Sequence, residues 1–158
     1  MKLQFKQRLL LPLFIVFAAA VCGRATAGPN DGAPDHVTVP LIVEGNRPYI
    51  DLTFRRPDGS TRSARFLVDS GGGGFIITEP VARDLGLRWD KTMREEGREF
   101  AQPTESPKAF VGEMPLDLDP QRVIVAVGTD RLLPPSVGGR SEGMFPGHLL
   151  ARYHVVFD

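Results

Sequence analysis

The sequence predicts an all-β fold, a closed barrel or sandwich of short strands with one or two brief helices. Short apolar runs alternating with polar residues are separated by turn residues along most of the chain. Seventeen glycines and 14 prolines in 158 residues favour many turns over long helices. The hydrophobic share of 42% and charged share of 24% are those of an ordinary folded domain, and the length fits one modest core.

The β pattern begins at Val37, where Val37, Val39, Leu41 and Val43 alternate with other residues on one apolar face. Pro40 has no N–H to give a central ladder and marks an edge strand. Gly45-Asn46 breaks the run, and Pro48 to Phe54 reads as the next strand. Pro57-Asp58-Gly59-Ser60 is a turn, after which Thr61 to Val68 delivers Asp69 at its end. Phe75 to Ile77 is another short strand. Thr78 can cap a two-turn helix with Glu79 and Pro80 in its first turn, and Gly86 can end it. Residues 88–108 are charged and without period, a surface loop or a hairpin covering a site. Val111 to Leu118 and Arg122 to Val127 read as strands, and Leu132 to Gly139 as a Pro/Gly loop. Gly147 to Tyr153 reads as a short helix and His154 to Phe157 as a strand.

The N-terminus has a different character. Lys2, Lys6 and Arg8 precede the apolar run Leu9 to Val21, and Ala25-Thr26-Ala27 forms a small-residue cleavage site before Gly28. The run is short for a membrane span, and Val21 fits poorly before a lipoprotein Cys22, so residues 1–27 read as a cleaved signal peptide. Residues 28–36 are then a polar leader and residues 37–158 the folded domain. The expected product is exported, periplasmic or secreted, with no stable membrane anchor. Losing Lys2, Lys6, Arg8 and Arg24 turns 19 basic against 19 acidic residues into 15 against 19, a net −4. That balance gives no footprint for nucleic acid. The one cysteine, Cys22, leaves with the signal, so the domain is held by its core without disulfides.

The chain is organised around Phe66-Leu67-Val68-Asp69-Ser70-Gly71-Gly72-Gly73-Gly74-Phe75-Ile76-Ile77. A carboxylate at the end of an apolar strand needs a partner or a use. Two such loops facing each other would share one proton, because like charges in contact cannot both ionise. One carboxylate could then act as base on a water while its protonated twin polarises a carbonyl. The glycine run lacks the Lys-Ser/Thr and spacing of a phosphate cradle, and Ser70 lacks the glycine pattern of a nucleophile elbow. His36, His148 and His154 show no metal-ligand spacing. Trp89 reads as a packing residue. No cofactor and no metal are expected.

Phe66 to Gly71, then Phe75-Ile76-Ile77-Thr78 and the helix to Leu85-Gly86-Leu87, resemble the active-site half of retropepsin-like aspartic proteases. Glu142-Gly143-Met144-Phe145-Pro146-Gly147-His148-Leu149-Leu150, running on to Val155-Val156-Phe157-Asp158, is similar to that family's second element and the helix and strand after it. Gly72 to Gly74 widen the loop, Pro146 stands at a glycine position and His148 at an aspartate position of the family pattern. The resemblance implies a closed acid-protease barrel and a peptide-cleaving activity with Asp69 as the catalytic aspartate. Ser70 would interlock the two active-site loops, Gly71 would offer an amide near the carboxylates, and residues about 91–108 would form the flap. A single Asp-Ser-Gly implies a homodimer with one aspartate per subunit, acting on a peptide or protein substrate at acidic pH. The reading from another class is a binding or structural domain that keeps the fold without cleaving.

Overall fold

The computed structural model describes residues 2–7, 34–133 and 140–157. Most of the segment read as a signal, its cleavage site, residues 28–33 of the leader and the Pro/Gly stretch 134–139 lie outside them. The first described segment is a strand, β1 (Lys2–Gln7), at the position read as the basic start of the leader. Next come β2 (His36–Pro40), β3 (Ile42–Glu44), β4 (Arg47–Arg55), β5 (Thr61–Asp69), β6 (Phe75–Thr78) and the helix α1 (Glu79–Asp84). They are followed by β7 (Thr92–Glu95), β8 (Arg98–Ala101), β9 (Ala109–Val111), β10 (Met114–Pro115) and, after a 3-10 turn at Pro120–Arg122, β11 (Val123–Val127). The chain ends in β12 (Gly143–Pro146), α2 (Gly147–Leu150) and β13 (Tyr153–Phe157). Among the described residues no helix is long and apolar enough to cross a membrane.

The all-β class holds, with two short helices. The main sheet runs β10-β9-β4-β5-β12-β6-β11-β8-β7, with β3 paired to β4, and a smaller sheet runs β13-β1-β2. The expected barrel does not close among the described residues, and both ends of the path are blunt. β10 is two residues long and finishes in Pro115, which has no N–H to donate, and β7 is exposed along its length. Pro40 lies in the edge strand β2, as its chemistry requires.

One turn expected from the sequence and two that were not set the strand boundaries. Gly45 and Asn46 both take positive φ, 56° and 60°, and join β3 to β4 in a tight hairpin. Glu96 and Gly97, at φ 48° and 79°, do the same for β7 and β8 inside the stretch read as aperiodic. Gly112, at φ 56°, splits the single strand expected over Val111 to Leu118 into β9 and β10. Thr78 does precede α1 and Gly86 does follow it at φ 72°, but the Thr78 hydroxyl is buried and makes no capping bond.

The core is centred on Phe54, Phe66, Phe75 and Phe145, all essentially buried. Their ring centroids lie 5.6 Å (Phe54–Phe66), 5.1 Å (Phe66–Phe75) and 6.4 Å (Phe75–Phe145) apart. These rings come from β4, β5, β6 and β12, the strands that frame Asp69, so core packing sets the position of the loop. Phe66→Ala removes the ring that touches two others. It is expected to cost about 3–5 kcal/mol in a denaturant titration.

Candidate active site

Asp69 is the last residue of β5, and β12 lies beside it in parallel with Pro146 opposite Asp69. The other side of β12 pairs antiparallel with β6, so the loop 70–74 must pass over the end of β12 to reach Phe75. Backbone bonds from Glu142 N–H to Arg65 O (2.8 Å) and from Thr78 N–H to Glu142 O (3.0 Å) anchor the strand's entry. Buried Ser141 completes the anchor. Its hydroxyl accepts from Leu67 N–H at 3.3 Å and donates to Gly143 O at 2.5 Å. A lone serine before Glu-Gly carries no sequence signal for this role.

The carboxylate is only partly exposed, whereas Ser70 and Gly71 are exposed. Asp69 Oδ1 accepts a hydrogen bond from Gly71 N–H at 3.0 Å, and Asp69 O accepts from Gly72 N–H at 3.3 Å. The three site residues picked from sequence therefore share one tight loop. The glycines serve close approach and not left-handed backbone, since none of Gly71 to Gly74 has a positive φ. A Cβ on Gly72 would stand 3.1 Å from Asp69 Oδ2 and 3.3 Å from Met144 Sδ. One on Gly74 would meet Ile124 Cδ1 at 2.6 Å, while one on Gly73 would meet nothing within 4 Å. The glycine that the second element needs is Gly147, not position 146, because its α-carbon is pressed against the Ser70 backbone.

A cavity of about 250 Å³ is lined by none of residues 69–74 and meets the loop only through Ile124, the side chain that Gly74 approaches. It is lined by Ile76 and Ile124 below and by Met93, Glu95 and Phe100 from the β7–β8 hairpin above. Met93 is 61% exposed, an apolar side chain held over the opening. The hairpin spans Thr92 to Ala101 and is tied to the body through β8 and β11.

Charged groups tie the surrounding elements together. Arg56 and Arg62 both bond Asp84, and Arg62 reaches on to Glu142 at 2.8 Å, linking the β4–β5 hairpin, α1 and the start of β12. Glu79 accepts from Gly128 N–H at 2.6 Å and ties α1 to the end of β11. That amide, and then Arg83, hold the Glu79 carboxyl below the usual carboxylate range. Arg56 does the same for Asp84, and Ser60 for Asp58. His148, beside Gly147, is pushed below the ordinary imidazole value by burial, then by Arg122 and Arg152. The Arg83 guanidinium also sits 5.3 Å over Trp89, whose ring packs partly buried at the edge of the core.

All four of these shifts are downward, so the folded state binds fewer protons than the unfolded chain. Their stabilisation is fully present above the unfolded values and is lost as pH falls, first for His148 below about 6.5, then for the carboxylates below about 4. The melting temperature is therefore expected to drop between pH 7 and pH 3. A flat thermal-unfolding profile over that range would contradict these assignments.

Compared with protein-family models, curated proteins and solved structures, the chain matches none of them.

Proposed function

We propose that the chain is an aspartic-type endopeptidase of the retropepsin-like kind, exported by its leader and working as a homodimer through paired Asp69 side chains. The observation that carries this reading is the placement of Asp69. A carboxylate ends a buried strand on a glycine loop, beside an inserted strand, with an apolar cavity on the far side of Ile124. Within that reading, one Asp69 takes a proton from a bound water, whose oxygen attacks the scissile carbonyl carbon. The protonated Asp69 of the second copy gives its proton to the carbonyl oxygen. The tetrahedral intermediate collapses as the first Asp69 passes its proton to the amide nitrogen, a hydroxyl of the diol returns a proton to the second Asp69, the C–N bond breaks, and a carboxylic acid and an amine leave. Residues about 91–108, with Met93 and Phe100, would close over the peptide, and an apolar side chain would fill the cavity between them and Ile124.

The smaller sheet supports the dimer. β1 is antiparallel to both β13 and β2 and fills one strand's width between them. With residues 1–27 removed, β2 and β13 face each other across an empty place. A second copy's β13, paired antiparallel to the first across a twofold axis, runs in the direction of β1 and so also pairs correctly with β2. The result is a four-stranded sheet with each β13 in the middle, an isologous contact. Tyr153 and Val155, buried and half-buried on β13, supply an apolar face in place of Leu3.

The test is cleavage of a peptide library by residues 28–158 from pH 3 to 8, with and without a statine-type transition-state mimic. Cleavage that is strongest at acidic pH and blocked by the mimic is expected. A folded dimer that cleaves nothing would favour a binding domain on the same fold. Gly72→Ala, which crowds Asp69 Oδ2, is expected to lower kcat about 10-fold or more, and Gly73→Ala to leave it within about twofold.

A further inference from the structure

We infer that Lys2–Gln7 and the β13 strand of a second copy compete for one place, so that a chain keeping its N-terminus is held monomeric. This rests on the dimer reading above and adds its regulation. β1 is the middle strand of its sheet, matched residue for residue from Leu3↔Phe157 to Gln7↔Tyr153 on one side and from Lys2↔Pro40 to Lys6↔His36 on the other. Leu3 is fully buried and belongs to the main core cluster together with Val39 and Tyr153. This is a seated strand with a core contact, and while it is in place neither β2 nor β13 has an edge to offer there.

Occupation by β1 and by a partner's β13 are mutually exclusive, because adjacent strands stand about 4.8 Å apart and only one fits between β2 and β13. The tethered strand has the advantage of an effective concentration on the order of millimolar. Removing residues 1–27 takes away the competitor and leaves two facing edges, with Val156 and Phe157 of β13 already 41% and 55% exposed. That removal then both frees the chain and permits pairing of the two Asp69 loops. A chain that fails to be exported stays without a second carboxylate.

The experiment uses the full chain with a specific protease site inserted between Ala27 and Gly28, studied by sedimentation equilibrium before and after the cut, the released peptide being removed by sizing. The uncut chain is expected to be monomeric at concentrations where the cut chain is dimeric, a shift of at least about tenfold in apparent dimer dissociation constant. Leu3→Asp, which expels β1 from the core, is expected to make the uncut chain dimerise. A labelled peptide of residues 1–8 added to the cut protein is expected to bind and lower its mass towards the monomer. Uncut and cut chains that dimerise equally would overturn the inference while leaving the dimer reading intact. A cut chain that stays monomeric would overturn the dimer reading itself, and the competition with it.

Discussion

Asp69→Asn is expected to abolish peptide cleavage while leaving the fold and the subunit contact in place. Asparagine matches aspartate in shape and still accepts the Gly71 N–H bond through its amide oxygen, so the loop keeps its form. What disappears is the proton chemistry, because an amide neither takes a proton from water nor donates one as an acid. General acid–base groups contribute about 10² to 10⁴ in rate, and the proposed dyad would use the same residue twice, so the loss should reach the upper end of that range. Circular dichroism and sedimentation should be unchanged beside it. A mutant that still cleaves at a tenth of the wild-type rate would place the chemistry elsewhere.

Gly147→Ala is expected to have the largest effect on stability of any single-methyl addition near the site. The new Cβ would lie 2.0 Å from Ser70 O and 2.7 Å from Ser70 C. Both are backbone atoms of the loop that carries Asp69, which cannot step aside as a side-chain tip would. Gly143→Ala also clashes, at 2.2 Å from Phe66 Cε1, but there a ring can shift within the cluster. Overpacking of this kind costs about 1–3 kcal/mol, and the Gly147 change belongs at the top of that range. Since relief requires moving Ser70, loss of activity should accompany the loss of stability, whereas Gly143→Ala should mainly destabilise. Urea titrations of both variants, paired with their rates, separate the two outcomes.

The half of the fold around Asp69 was legible because its signals are local. Apolar runs mark β5 and β6, Gly59 and Gly86 mark turns, and a carboxylate after Val68 is conspicuous. A hairpin was one of two readings of residues 88–108, the other being a surface loop, and its strands had no legible bounds because their residues are exposed and charged and no apolar period remains. The insertion of β12 between β5 and β6 is a long-range pairing held by Ser141, Glu142 and the absence of side chains at Gly143 and Gly147. No spacing along the chain reports such a contact. Glycines beside a carboxylate suit close approach, and the approach is made at Gly72 beside Asp69 and Gly74 beside Ile124, but which of the four is needed is set by neighbours distant in sequence. The seating of Lys2–Gln7 was hidden because three basic residues before an apolar run have the pattern of a leader, whatever strand they can also form.

The most direct test of the central claim, one Asp69 from each of two subunits, is to mix wild-type and Asp69→Asn chains, let them exchange subunits, and measure cleavage at constant total protein. If both carboxylates are needed, activity falls as the square of the wild-type fraction, to about one quarter at equal mixing. Activity that falls in simple proportion, to about one half, would mean that each chain works alone and would contradict the account.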